Sequence, residues 1–197
     1  MATPLRSLCV FCGSSPGARP DYVQAAEGLG RLLAQRNIEL VFGGGSVGMM
    51  GAVARSTLAA GGRATGVIPR ALLRKEIAQT GLSHMHVVES MHERKALMAK
   101  LSDGFVALPG GFGTLEEFFE VLTWAQLGFH RKPVALLDVA GFYAPMITLL
   151  EHMSTEGFVR PSQLRLVMTE TNAEKLLARI ENYEAPETEH WIAGGQT

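Results

Sequence analysis

Two kinds of segment alternate along the chain. Short, almost unbroken apolar runs occupy 6–12, 38–42, 63–68, 84–88, 104–108 and 133–137. Runs this compact suit strands covered on both faces, since a strand between two helix layers has no polar side. Between them, apolar residues recur at helical spacing over about 21–36, 47–60, 91–101, 114–127 and 143–156. A further run at 163–169 and a helix over about 173–182 close the pattern. Strand and helix alternating this way predict an α/β, Rossmann-like fold, a parallel sheet with helices on both faces and right-handed crossovers. No linker, repeat or low-complexity tract is visible, so 1–183 is expected to form a single domain. The stretch 184–197 is polar and glycine-containing and is expected to fray.

Composition narrows the function classes. With 197 residues, 47% apolar and 19% charged, the chain can bury a full core. A net charge of -1 provides no global field to draw in nucleic acid or an anionic membrane. No apolar run reaches the roughly 18 residues a membrane span needs. The beginning of the chain enters a strand pattern almost at once and shows no signal-peptide cleavage region. Two cysteines and nine methionines fit a reducing, cytoplasmic setting. Cys9 and Cys12 form a CxxC, but inside an apolar strand pattern rather than at a helix start. Three residues apart on a strand, they point to opposite faces and read as two small buried side chains.

Ligands in such sheets bind where strands hand over to helices. Three of these turns are rich in small residues. The first, CGSSPG, offers Gly13 amides and the Ser14 and Ser15 hydroxyls to an anion or sugar, or is simply a capped turn. The second, FGGGSVGMMG, places Gly43, Gly45 and Gly48 in dinucleotide-fingerprint spacing, with Gly44 between. It follows the second strand, however, and the next strand runs into Pro69 and Arg70 instead of the acid that would bind a ribose hydroxyl. A nicotinamide cofactor is therefore not expected, and no cofactor of any kind is. A phosphate, or a close backbone approach, still suits the turn.

The third turn, LPGGFGTLEEFFE, starts at Leu108. Pro109 stops a strand, and Gly110, Gly111 and Gly113 leave a bare loop entering a helix, where amides and dipole favour an anion. Thr114 adds a hydroxyl. Thr114 and Glu117 also have capping-box spacing, so capping and catalysis both remain open from this segment alone. On a helical projection, Leu115, Phe118, Phe119, Val121, Leu122 and Ala125 form one apolar face. Glu116 and Glu120 fall opposite, on the expected solvated side. Glu117 falls on the margin, and its expected place in the first turn favours an ionised carboxylate.

A second constellation lies in ESMHERKALMAKL. Arg94 projects into the apolar face made by Met91, Leu97, Met98 and Leu101, and Lys95 lies toward the edge of that face. A guanidinium aimed at a core is costly unless it has a partner. It is either a structural ion pair or a grip on a substrate phosphate or ribose. Other candidates are weaker. His84 and His86 share one strand face without a third ligand nearby, so no metal site is expected. Glu76 reads, by itself, as solvated surface.

Together these motifs resemble the LONELY GUY (LOG) family, the cytokinin-activating phosphoribohydrolases. The family's PGGxGTxxE stands as Pro109, Gly110, Gly111, Gly113, Thr114 and Glu117, with Phe112 at the variable position. Its RK pair stands as Arg94 and Lys95, and the GGG turn, the CGSS turn and TWAQLG match in order. The resemblance implies a Rossmann-like homodimer with its site near the subunit interface. It also implies hydrolysis of the N-glycosidic bond of a nucleoside 5′-monophosphate, with cytokinin riboside monophosphates and AMP as substrates. Carried over by motif, Arg94 and Glu117 would be catalytic. Glu76, Lys95, Gly110, the loop of Gly111, Phe112, Gly113, Thr114, Leu115 and Glu116, and also Thr123, would contact substrate. Relatives often carry a lysine decarboxylase label, for which this sequence shows no pyridoxal-phosphate lysine motif. The alternatives are a general purine monophosphate hydrolase and a nucleotide-binding or carrier protein without turnover.

Overall fold

Alternation along the first strand sorts the core into two layers. In β1 (Ser7–Phe11) and just beyond it, Leu8, Val10 and Cys12 enter one hydrophobic cluster, whereas Cys9 and Phe11 enter the other. Both cysteines are free and buried, on opposite faces as the two-residue period of a strand requires. The computed structural model describes residues 5–73 and 78–186. Of the expected tail only 184–186 falls within that range.

The chain continues through α1 (Pro20–Gln35), β2 (Glu39–Phe42), α2 (Gly48–Ala59), β3 (Ala64–Pro69) and a 3-10 turn at Arg70–Leu72. It then forms β4 (His84–Val88), α3 (Met91–Leu101), β5 (Gly104–Ala107), α4 (Phe112–Leu127) and β6 (Val134–Leu137). The remaining elements are α5 (Ala144–Thr155), a short α6 (Pro161–Leu164), β7 (Val167–Glu170) and α7 (Ala173–Glu181). The strands make one seven-stranded sheet in the order β4-β3-β2-β1-β5-β6-β7, and every pairing is parallel. Helices α1, α2 and α7 cover one face, and α3, α4 and α5 contribute to the cluster on the other. The α/β class expected from the pattern is the one observed. No helix among the described residues is long and apolar enough to cross a membrane.

Two elements differ from the expectation. The run at 163–169 divides. Pro161 fixes a helical turn whose Arg160 N–H donates to Gln163 Oε1 at 2.8 Å, and only Val167–Glu170 is strand. Helix α4 begins at Phe112, two residues before the expected Thr114. The glycines of that turn carry no periodic signal, so its start is invisible to a hydrophobic pattern.

His130 joins the end of α4 to β6. Lys132 N donates to its Nδ1 at 3.1 Å, so that nitrogen carries no proton, and Nε2 bonds Val121 O at 2.9 Å. Burial, against the Val121 bond and helped by the Lys132 charge, pushes its pKa from 6.5 down to about 4. The unfolded chain therefore takes up a proton that the folded chain refuses. This contribution to stability is complete above about pH 6.5 and is lost as pH falls toward 4. For a partly exposed group the expected loss by pH 5 is about 1–2 kcal/mol. Urea unfolding at pH 7.5 and pH 5 reads it, and His130→Gln should flatten the difference. Equal slopes in the two proteins would refute the assignment.

Candidate active site at the carboxyl edge of the sheet

Strand order places β1 beside β5, and the chain leaves these two strands in opposite directions across the sheet. The crevice outside their carboxyl ends is the ligand position of open α/β sheets. Two loops flank it and are tied together, Gly13 N donating to Pro109 O at 3.1 Å and Leu108 N to Phe11 O at 2.9 Å. A third loop, entering α2, is closed by the chain itself. Met49 N and Met50 N both donate to Gly13 O, at 3.1 and 3.4 Å. Gly48 has φ +56, and a Cβ there would overlap the Ser14 backbone. The amides of α2 are thus used in packing two loops together. Gly44 and Gly45 are buried in the same turn, Gly44 O accepting from Gln79 N at 2.9 Å and Gly45 bridging Ala78. Ser14 is exposed beside the crevice.

Arg94 comes from α3, which packs across β1 to β4. It is 5% exposed. Its Nε donates to Val67 O at 3.1 Å and its Nη2 to Gly43 O at 2.9 Å. Both acceptors belong to the carboxyl ends of neighbouring parallel strands, where successive carbonyls converge. The cost of burying the cation is thereby offset by charge-assisted bonds. Gly43 leaves room for this arrangement, because a Cβ there would overlap the guanidinium.

Helix α4 supplies the rest. Its N-cap is Gly111, with no side-chain cap, and the first bond within the helix is Leu115 N to Gly111 O at 3.1 Å. The amides of Phe112, Gly113 and Thr114 precede that bond and have no acceptor inside the helix. Thr114 is at the third helical position, not the cap, so the capping-box alternative does not form. Its buried side chain instead packs against Gly110, where a Cβ would overlap the Thr114 hydroxyl. Gly111 and Gly113 differ, since a Cβ at either meets nothing within 4 Å. Neither has a positive φ. Packing explains Gly110 but not the bareness of Gly111 and Gly113.

Glu117 lies in the second turn of α4, beyond the strongest part of the helix dipole and not in the first turn as expected. It shares the inward stripe of Thr114, Phe118, Val121 and Ala125 and is half-buried. It reaches the same neighbourhood as Arg94. Burial chiefly raises the Cys9 pKa, the Glu117 charge raises it further, and the Arg94 charge opposes them. Burial and Glu117 likewise raise Cys12.

Lys95 is 9% exposed and held by Glu116 and by Glu120, the latter at 3.0 Å. Burial would lower its pKa, but the bonds to the two carboxylates outweigh that and raise it. Glu116 is exposed as the single-helix projection suggests, whereas Glu120, on the same side, is drawn in against Lys95 of α3. Arg94 and Glu117 are each one residue from the Lys95–Glu116 ion pair along their own helices. Among the other expected contacts, Leu115 is half-buried in the core below the loop, and Phe112 is 94% exposed at its tip. Thr123 bonds back to Phe119 O at 2.7 Å. It sits roughly 16 Å along the helix axis from Phe112 at about 1.5 Å per residue, too far to share a ligand with the loop of its own chain. Glu76 lies outside the described residues. No group of three metal-ligating side chains occurs among those described.

The pattern gave no sign of Tyr143. Its hydroxyl donates to Leu108 O at 2.7 Å, directly under the glycine loop.

A family profile described as possible lysine decarboxylase matches residues 50–180. A cytokinin riboside 5′-monophosphate phosphoribohydrolase of Arabidopsis thaliana is 48% identical over 179 residues, 91% of this chain and 82% of that protein. One of Oryza sativa subsp. japonica is 45% identical over 184 residues, 93% of this chain and 76% of that protein. Among solved structures, the molybdenum cofactor carrier protein from Chlamydomonas reinhardtii superposes with TM-score 0.68 at 20% identity, over 90% of this chain and 97% of that one. At that identity the likeness concerns the fold.

Proposed function

The chain belongs to the LONELY GUY family of cytokinin riboside 5′-monophosphate phosphoribohydrolases, and from that premise we propose that its carboxyl-edge crevice hydrolyses the N-glycosidic bond of such monophosphates. The products are free N6-substituted adenine and ribose 5-phosphate. One observation carries the assignment of the site. The amides at the start of α4 have no side-chain cap and no Cβ screening them at Gly111 or Gly113. Arg94 and Glu117 belong to the same neighbourhood.

In the proposed mechanism the α4 amides take the 5′-phosphate. Arg94 fixes the ribose or phosphate, so that remote binding becomes positioning at the reacting carbon. As the C1′–N9 bond breaks, its electron pair leaves with the base and positive charge builds on the ribose ring. Glu117 stabilises that charge and orients a water, whose oxygen bonds C1′ while a proton goes to the departing base. Lys95, the lysine beside Arg94, does not suit the decarboxylase label. A Schiff-base lysine must shed its proton, whereas Lys95 is held as an ammonium by two carboxylates.

Incubation with AMP and with N6-isopentenyl-AMP, followed by chromatography for free base and ribose 5-phosphate, tests the reading. Binding without base release would favour a carrier. Equal turnover across purine monophosphates would favour a general purine hydrolase.

The open glycines give a sharper check. Ala is a better helix former than Gly by up to about 1 kcal/mol. Gly113→Ala should therefore leave thermal stability unchanged or slightly raised, while raising KM for AMP about tenfold by crowding the phosphate. An unchanged KM would remove the loop from the phosphate site.

The assembly we propose is a homodimer. Helix α5 is largely apolar yet buries only Leu150, and Leu149 and Phe158 are 53% and 82% exposed. A second copy covering this layer would account for those faces, and Thr123 would enter a site only from the partner chain. Light scattering at micromolar concentration reads the mass. Two buried free cysteines suit operation in a reducing, cytoplasmic setting.

A further inference from the structure

The Leu108–Pro109 peptide leads directly into the glycine loop, and it is unusual in what it can bond. Proline has no N–H, so the carbonyl of Leu108 is the only hydrogen-bonding handle this peptide possesses. In the structure that handle is taken by the hydroxyl of Tyr143, at 2.7 Å. The next carbonyl, of Pro109, is taken by Gly13 N at 3.1 Å. Two donors thus orient the two peptides that precede Gly110, and only one of them is a side chain.

Tyr143 is itself firmly held. It is 1% exposed, in the cluster between the sheet and α4. Its own N–H donates to Asp138 Oδ1 at 2.7 Å. Asp138 ends the β6 edge, where its N–H donates to Glu170 O at 2.8 Å. Phe142 stacks edge-on against the Tyr143 ring, centroids 5.0 Å apart. Burial chiefly, with the Cys12 and Asp138 charges adding to it, raises the phenol pKa well above its usual value, so the hydroxyl stays a donor. A chain of contacts therefore runs from the β6–β7 edge through Asp138 and Tyr143 to the entrance of the loop.

We infer that Tyr143 is a positioning residue for the reaction: its hydroxyl sets the orientation of the Leu108–Pro109 peptide and, through it, the direction in which the Gly111–Thr114 amides meet the substrate phosphate. The role in turnover rests on the hydrolase reading above, while the positioning of the loop does not. Removing the hydroxyl leaves a buried carbonyl without its donor at the point where the loop begins. The strands keep their ladders, so the effect is local.

The test uses the full-length protein with Tyr143→Phe, and Tyr183→Phe as the control. Tyr183 lies at the opposite edge of the sheet, on a cavity of about 300 Å³ shared with Asp103 and Pro133. In the ligand-free protein, exchange of the hydrogen-bonded amides of Leu108 and Leu115 should be at least tenfold faster in Tyr143→Phe, with β2 and β3 unchanged. Exchange equal to that of the unaltered protein overturns the inference. So does uniform acceleration across the sheet, which would mark a global loss of stability instead. In competition assays, the affinity for ribose 5-phosphate should fall about tenfold in Tyr143→Phe and that for free adenine less than twofold. Equal losses for both would assign Tyr143 a purely structural role. If the unaltered protein releases no base from any monophosphate, the hydrolase reading fails, and the exchange measurement alone still decides whether Tyr143 positions the loop.

Discussion

Glu117→Gln is expected to lower base release from AMP by about 10³-fold while leaving nucleotide binding within a few-fold, the range typical of losing a charge that acts on the transition state. The substitution keeps the size and much of the hydrogen bonding of the side chain and removes the negative charge. That charge is felt deep in the site, since it acts on both Cys9 and Cys12. A neutral amide neither stabilises a cationic ribose ring nor accepts a proton from water. Because Glu117 lies in the second turn of α4, its replacement leaves the amides at the start of that helix in place. Single-turnover rates and equilibrium binding of AMP separate the two effects. Turnover within tenfold of the unaltered protein would remove Glu117 from the chemistry.

Arg94→Lys is expected to cost about 10²-fold in kcat/KM despite conserving charge. A guanidinium is a planar fork that can bond two carbonyls at once, whereas an ammonium is a compact point charge on a shorter reach. Here Val67 O and Gly43 O are engaged by different nitrogens of the same group. The single nitrogen of lysine does not reproduce contacts made by two separate nitrogens, and the cation moves by a distance that positioning does not tolerate. Circular dichroism and thermal unfolding establish that the variant is folded, and kinetics with AMP then give the loss. Near-normal kcat/KM would show that only charge matters at this position.

Much of this site was visible in the one-dimensional pattern because its signals are local. Arg94 stands out as a cation within an apolar helical stripe, and the glycine loop stands out against the strand before it. The parallel sheet with helices on both faces follows from strand–helix alternation, whereas the strand order does not. Other features depend on chain segments meeting. Glu116 and Glu120 look solvated when α4 is projected alone and become partners of Lys95 only when α3 is set beside it. Tyr143 is 35 residues from the carbonyl it holds, and nothing in its neighbours marks it as polar-active. The α2 turn carries a nucleotide-like glycine spacing, yet its amides close on Gly13. Spacing alone does not say whether a glycine admits a ligand or another stretch of backbone.

Two of the groups that hold Arg94 are peptide carbonyls, and every substitution leaves a peptide carbonyl in place. Neighbouring residues such as Val67 can therefore drift among apolar side chains over generations without loosening the arginine. The vulnerability is displaced onto a position with no side chain at all. At Gly43 a side-chain carbon would overlap the guanidinium, so change there should displace the arginine from the carbonyls that hold it.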